Sequence, residues 1–497
     1  MHYKSTRGNS SANSSQEAII KGLADDGGLF VPDNLPKLNN YDLKNMYQMS
    51  YTELAYSVLK RILDDYNEIE LKRCIDNAYS TGFDNMGPAP VITLNEKQSV
   101  LELWHGPTCA FKDMALRLLP ELMTTALKNT GVKKTSLILT ATSGDTGKAA
   151  LEGFKDVEGT KIVVFFPEHG VSDMQKLQMI TQEGGNVTSI AISGNFDDAQ
   201  SGVKSIFTNR TLIDELYQAG YVFSSANSIN WGRLVPQIVY YISTYVHLAK
   251  SGIIALGDKI NFAVPTGNFG NILAGYYAAK MGLPVKKFIC ASNANNVLTD
   301  FFKTGEYSIK RNFYKTYSPS MDILISSNLE RLVYDLFNQD SQIISSYMNR
   351  LNETGSYTIP KDIMNKLSDH FHADYMDDRQ TVKVIAEYYN RFGYLSDTHT
   401  AVALGVAENY TQKNLDKTHT VTISTASPYK FGKAVAKAVI NDIDLDKFSE
   451  FEVLKMLEEK TLVKIPEPLS NVMGKPVLHK ITCSKNNMAD TLKKILL

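Results

Sequence analysis

The chain has 497 residues, 43% hydrophobic and 21% charged, a balance that supports a large buried core in more than one domain and excludes a disordered chain. Its 52 lysines and arginines against 53 carboxylates leave a formal charge of −1, and the cations are spread out, which excludes the basic stripe a nucleic-acid backbone demands. No stretch reaches the roughly 20 apolar residues of a membrane span. The start is polar, without an apolar signal core, and predicts a cytoplasmic protein. Cys74, Cys109, Cys290 and Cys483 lie far apart without paired spacing, so reduced thiols are expected rather than a disulfide frame or a metal site.

Apolar positions at helical period over 14–23, 49–63 and 68–80 make the first 90 residues mainly helical. Loops follow at Pro32-Asp33-Asn34 and Gly87-Pro88-Ala89-Pro90. Residues 103–113 then read Leu-Trp-His-Gly-Pro-Thr-Cys-Ala-Phe-Lys-Asp, and 114–127 continue as a mostly apolar helix. Lys112 therefore stands at a helix entrance among Trp104, Phe111 and other apolar neighbours, where desolvation drives an amine toward its reactive neutral form. A Schiff-base lysine needs that setting. The plain alternative is a lysine whose stem packs while its head reaches water. His105, followed by Gly106-Pro107, reads as a structural turn histidine, and Cys109 as a small packing residue.

A strand over 135–142 leads through Ser143-Gly144-Asp145-Thr146-Gly147 into a helix over 148–155. The likeness to a nucleotide-binding phosphate loop is superficial: Thr142 stands where that pattern needs glycine and Ala149 where it needs the magnesium-binding hydroxyl. A nest of amides and hydroxyls remains, able to hold an amino-acid carboxylate. Strand and helix then alternate at 162–166 and 172–183, 187–192 and 197–209, 221–224 and 231–250, the pattern of a parallel sheet covered on both faces. Asn227-Ser228-Ile229-Asn230-Trp231-Gly232-Arg233 opens the last of these helices with amides, a hydroxyl and a guanidinium, a set suited to a substrate phosphate. Its plain alternative is a capping loop with an exposed arginine.

The most informative turn is Gly267-Asn268-Phe269-Gly270-Asn271, between a strand at 259–264 and a helix at 272–281 ended by Gly282. It contains no lysine or arginine, so backbone amides and the helix dipole would hold a single phosphate monoester. Alternatively glycine there merely supplies unusual φ angles. Strands at 287–291 and 420–424 continue the sheet, and the mixed, charged segment beyond residue 440 is expected to pack as a tail on the larger domain.

Taken together, Phe111-Lys112-Asp113, Ser143-Gly144-Asp145-Thr146-Gly147 and the 267–271 turn resemble the pyridoxal-phosphate enzymes of fold type II, specifically the longer threonine synthases. Tyr3-Lys4-Ser5-Thr6-Arg7-Gly8, the segment 22–32 and Ser424-Thr425-Ala426-Ser427-Pro428-Tyr429-Lys430-Phe431 extend the resemblance over nearly the whole chain. It implies an α/β fold of two parallel-sheet αβ domains with a mainly helical N-terminal region. The expected division is 1–90 N-terminal, 91–115 with 251–440 as the large cofactor-binding domain, 116–250 as the small domain, and 441–497 as a C-terminal extension.

The resemblance also implies the roles. Lys112 would anchor pyridoxal 5'-phosphate and act as the catalytic base; Gly267, Asn268, Phe269, Gly270 and Asn271 would hold its phosphate; Thr425 would lie beside the ring nitrogen, unless it is only a helix N-cap. Ser143, Asp145 and Thr146 would receive the substrate carboxylate, and Asn227, Ser228 and Arg233 the substrate phosphate. Asp145 departs from the asparagine of the shorter synthases, and an aspartate there repels a carboxylate unless it is protonated or turned aside. The implied enzyme is a carbon–oxygen lyase that turns O-phospho-L-homoserine and water into L-threonine and phosphate. Two rivals stand beside it: a phospholyase-like relative giving 2-oxobutyrate from O-phosphothreonine or phosphohomoserine, and a non-catalytic binding paralogue. The partner is a small molecule, and the oligomeric state stays open.

Overall fold

The computed structural model describes residues 1–142, 144–168, 171–440 and 443–497, apart from the side chains of Phe196 and Asp197. Strands buried along their whole length are covered on both faces, as the middle strands of a parallel sheet are. Ile260–Pro265 and Thr420–Ser424 are buried at every position and lie side by side. They form the centre of a six-stranded sheet in the order Phe371–Tyr375, Val285–Ser292, Ile260–Pro265, Thr420–Ser424, Gln98–Glu102, Val91–Asn95. Five strands run parallel. Val91–Asn95 runs antiparallel to its neighbour, because Glu96 and Lys97 are enough for a hairpin and far too few for a crossover.

A second sheet is parallel throughout, in the order Ile481–Cys483, Val187–Ile192, Thr160–Pro167, Thr135–Ala141, Tyr221–Ser224. Four of these strands are the ones the alternating pattern predicts. The fifth comes from the tail and corrects the expectation that 441–497 packs only on the larger unit. Helix Glu450–Thr461 does pack there, against Gly432–Val439. Ile481–Cys483, however, closes the open side of Val187–Ile192, and helix Met488–Leu496 sets Met488 and Leu492 into the same apolar cluster as Leu139 and Val163. An uncovered parallel edge would leave unpaired backbone groups and that apolar face in water. A chain ending at residue 477 should therefore lose on the order of 3–6 kcal/mol from these two side chains alone, visible as a lower denaturant midpoint.

The N-terminal region is helical as expected, at Ser15–Lys21, Tyr51–Leu59 and Glu68–Tyr79, each started by a side chain that accepts a first-turn amide: Ser14, Ser50 and Asn67. It also carries a small antiparallel sheet of Ser11–Ala12, Tyr3–Ser5 and Phe30–Pro32. The helix expected over 114–127 is broken at Arg117 into Asp113–Leu116 and Leu118–Asn129. Pro120 has no amide to offer the Leu116 carbonyl. That carbonyl packs against Gly153, where a Cβ would come within 2.0 Å of it.

Candidate active site

Lys112 is placed by a loop fastened to strand Thr420–Ser424. Leu103 N donates to Ser424 O (3.0 Å), Phe111 N to Thr425 O (2.8 Å) and Ser427 N to Cys109 O (3.0 Å). Asp113 closes the turn from within by accepting from Thr108 N (2.8 Å) and Thr108 Oγ1 (2.6 Å). The amine of Lys112, 7% exposed and 4.7 Å from the Phe111 ring centre, is buried as the sequence predicts. Burial is the main influence and brings it down to about 8, with Arg233 and Lys430 pushing the same way and Asp145 opposing. Cys109 is buried, and burial pushes its thiol up, away from nucleophilic use. His105 spends both ring nitrogens on carboxylates, Nδ1 on Asp84 (2.6 Å) and Nε2 on Glu102 (2.9 Å), and stacks on Trp104, in keeping with a structural role.

The nest after Thr135–Ala141 is organised by Thr142, whose Oγ1 accepts from Gly144 N (3.0 Å) and Gly147 N (2.9 Å). Ser143 lies outside the described residues; Thr146 is half-buried. Asp145 opens helix Asp145–Gly153 and is almost fully buried. Its Oδ2 lies 3.6 Å from Lys112 Nζ, while its Oδ1 forms an ion pair with Lys430 Nζ at 2.8 Å and accepts from Gln175 Nε2 at 2.9 Å. Burial alone would raise this carboxyl, yet Lys430 and Lys112 hold it well below the usual carboxylate range. Asp145 is thus ionised and turned to lysines. Lys430, 0% exposed, also donates to Thr108 O (2.9 Å).

The glycine turn runs from Ile260–Pro265 into helix Gly270–Met281, with Phe269 left-handed at φ 63°. Its carbonyls are held from behind: Ser326 Oγ donates to Gly267 O (2.7 Å), and Asn328 donates to Asn268 O from both N and Nδ2 (3.1 Å each). Among the described residues, nothing accepts from the amides of Asn268, Phe269 or Gly270. Asn271 Oδ1 takes the hydroxyls of Tyr240 and Tyr241 (2.7 Å each), which leaves its buried Nδ2 without an acceptor. Free amides and an orphaned donor at a helix N-terminus fit an anionic phosphate.

Thr425 follows the last residue of strand Thr420–Ser424, beside the Lys112 loop, and is 6% exposed. The alternative that it caps a helix falls, because Ser427 caps Pro428–Phe431 by accepting from Tyr429 N. The loop does cap, as the plain alternative holds, but Arg233 is buried rather than exposed: Nη1 donates to Ala226 O (2.6 Å) and Nε has no partner. Burial brings its guanidinium down to about 10. Capping of Trp231–Leu234 is done by Asn230. Asn227 is half-buried, and Ser228 packs on the glycine turn, its Oγ accepting from Asn328 Nδ2 (3.0 Å). A Cβ on Gly270 would sit 3.1 Å from Ser228 Cβ.

A buried amine at a helix entrance, facing a fixed carboxylate and accompanied by a phosphate-ready turn, is a setting suited to the class of enzymes that use a phosphorylated carbonyl cofactor. Sequence profiles agree. The profile described as pyridoxal-phosphate dependent enzyme matches residues 83–426, that of the threonine synthase N terminus 2–79, and that of the threonine synthase C-terminal region 400–476. Threonine synthase-like 1 of Homo sapiens is 42% identical over 89% of this chain, and the chain spans 60% of that protein's length. Threonine synthase of Schizosaccharomyces pombe is 37% identical, over 88% of this chain and 89% of its own. The crystal structure of PLP-bound threonine synthase from Brucella melitensis superposes with a TM-score of 0.88 at 33% identity, covering 100% of this chain and 98% of that one. The chain belongs to the threonine synthase family of pyridoxal-phosphate dependent enzymes, in fold type II.

Proposed function

We propose that this chain converts O-phospho-L-homoserine and water to L-threonine and phosphate, with pyridoxal phosphate anchored at Lys112. The observation that carries the reading is the buried Lys112 amine, lowered to about 8, in a chain that also holds the anion-ready turn at 267–271. When bound, the cofactor supplies an electron sink for a carbanion. Lys112 would anchor it and, once freed by the incoming amino acid, take the proton from the substrate's Cα, hand it on, and as a neutral amine again take one from Cβ as phosphate leaves Cγ. Water then puts its hydroxyl on Cβ, and its proton and the two removed earlier end on Cγ, Cα and the departing phosphate. The amides of Asn268, Phe269 and Gly270 and the amide nitrogen of Asn271 bind the cofactor phosphate, with Gly267 allowing the close turn. Thr425 offers the ring nitrogen a neutral hydroxyl, which does not enforce its protonation.

Thr146 and Ser143 receive the substrate carboxylate. Asp145, engaged by Lys430, is turned aside from it, which removes the repulsion that an aspartate at this position raises. Arg233, with an uncommitted Nε, takes the substrate phosphate together with Asn227. Ser228 adds its hydroxyl where that site meets the glycine turn. The expected division into 1–90, 91–115 with 251–440, 116–250 and 441–497 places Lys112 and the turn in one unit and Asp145 and Arg233 in the other. No helix among the described residues is long and apolar enough to cross a membrane, and we place the enzyme in the cytoplasm with a small molecule as its partner.

The test is product analysis of the purified, cofactor-loaded protein given O-phospho-L-homoserine. Threonine in step with phosphate is expected; phosphate with 2-oxobutyrate and no threonine would assign the phospholyase, and no phosphate at all the binding paralogue. Arg233→Ala should raise KM about 10- to 100-fold, the worth of a hydrogen bond to a charged group, with a smaller change in kcat. An unchanged KM would move the phosphate subsite elsewhere.

A further inference from the structure

Nothing in the family pattern used above gives Lys430 a task, yet it is among the most completely buried cations of the chain. Its Nζ pairs with Asp145 Oδ1 at 2.8 Å and donates to Thr108 O at 2.9 Å, joining the turn after Thr420–Ser424 to the Lys112 loop and to the start of helix Asp145–Gly153. A fourth element holds the same pair. Ser172 Oγ donates to Lys430 O (3.3 Å) and Gln175 Nε2 to Asp145 Oδ1 (2.9 Å), and Ser172 and Gln175 together cap helix Asp173–Ile180.

The two distances at Asp145 divide its labour. At 2.8 Å Lys430 is the close ion-pair partner; at 3.6 Å Lys112 is the looser one, and its attraction for Asp145 is correspondingly weaker. Lys112 must leave its ammonium state to do chemistry, and a buried carboxylate deprived of its counter-ion would then be strongly destabilised or would take a proton. Lys430 prevents that. We propose that Lys430 is a positioning residue that keeps Asp145 a compensated anion whichever state Lys112 is in, and that the pair sets the protonation of the anchor amine.

Other ionisable groups surround the cluster. Asp113 and Cys109 lie on the Lys112 loop, Arg233 comes from helix Trp231–Leu234, and Lys148 follows Asp145 by one turn but is tied to Glu152 (3.0 Å). Removing the Lys430 cation should favour the ammonium form of Lys112, and removing the Asp145 anion should disfavour it.

The proposal rests on Lys112 as the cofactor anchor and is tested without turnover. The cofactor-free protein is labelled with pyridoxal phosphate and borohydride across a pH series, and the rate of labelling at the Lys112 peptide is followed. Lys430→Met should raise the midpoint by about one pH unit, a tenfold slower labelling below it. Asp145→Asn should lower it, the double variant should return toward wild type, and Lys430→Arg should stay near wild type. A midpoint unmoved by Lys430→Met, or a double variant shifted as far as the single one, overturns the proposal. Should Lys430→Met not fold, an unmoved Asp145→Asn midpoint overturns it equally, and a lowered one with Lys430→Arg unchanged sustains it. Label absent from the Lys112 peptide of wild type is a different failure, that of the anchor assignment itself.

Discussion

Lys112→Ala should fold, lose covalent attachment of pyridoxal phosphate, and release phosphate from O-phospho-L-homoserine at least about 10³- to 10⁴-fold more slowly, the range of a lost general base that also anchors. Folding should survive because the deletion strands no charge: Asp145 keeps Lys430 at 2.8 Å and Gln175 at 2.9 Å. The loop that carries the residue is fastened by backbone bonds to Thr425 and Ser424, not by the lysine head. The measurements are phosphate release, the visible absorbance of the loaded protein and far-UV circular dichroism. Turnover within tenfold of wild type would remove Lys112 from the chemistry.

Gly267→Ala should weaken binding of pyridoxal phosphate about 100-fold while leaving secondary structure intact. A Cβ at this position would lie 2.6 Å from Ser320 O, a backbone atom. That backbone is not free to move. His399 Nε2 accepts from Ser320 N (3.1 Å), its Nδ1 donates to Asp397 (2.9 Å), and Asn293 Nδ2 donates to Ser318 O (3.2 Å). The turn must yield instead, and with it the aim of the neighbouring amides, each worth about 1.5–3 kcal/mol against a charged oxygen. Gly185→Ala, whose nearest neighbour would be Asp156 Oδ1 at 3.7 Å, serves as the control and should bind the cofactor as wild type does. Equal affinity of the Gly267 variant would show that the phosphate is held elsewhere.

Much of this arrangement is legible in the chain because its signals are local. Tyr221–Ser224 and Thr420–Ser424 are bounded in the structure as their β-formers predict, and the Gly282 stop is a left-handed C-cap at φ 119°. The glycine turn and Lys112 could be named because strand, turn and helix follow one another within a dozen residues. Lys430 could not, since its partner Asp145 lies in a distant segment and a lone lysine in an apolar stretch has no periodicity to mark it. The same holds for Asn328, Ser326 and Arg331. They act on the turn from outside its sequence, Arg331 by joining Phe30 O to Ser228 O and Asn328 Oδ1. The tail strand Ile481–Cys483 is not legible in the sequence, because three residues, two of them exposed, carry too little pattern.

That last strand has a consequence for how the protein is made. The smaller sheet has four of its five strands once the ribosome has passed Ser224, but the flank of Val187–Ile192 stays bare until Ile481–Cys483 emerges. At usual synthesis speeds this wait is on the order of half a minute. During it Ile190 and Ile192, with Leu139 and Val163 beneath, stand without their final cover. The nascent enzyme is therefore sticky late in its synthesis, and its yield in a cell should depend on chaperone supply more steeply than the ruggedness of the finished molecule would lead one to expect.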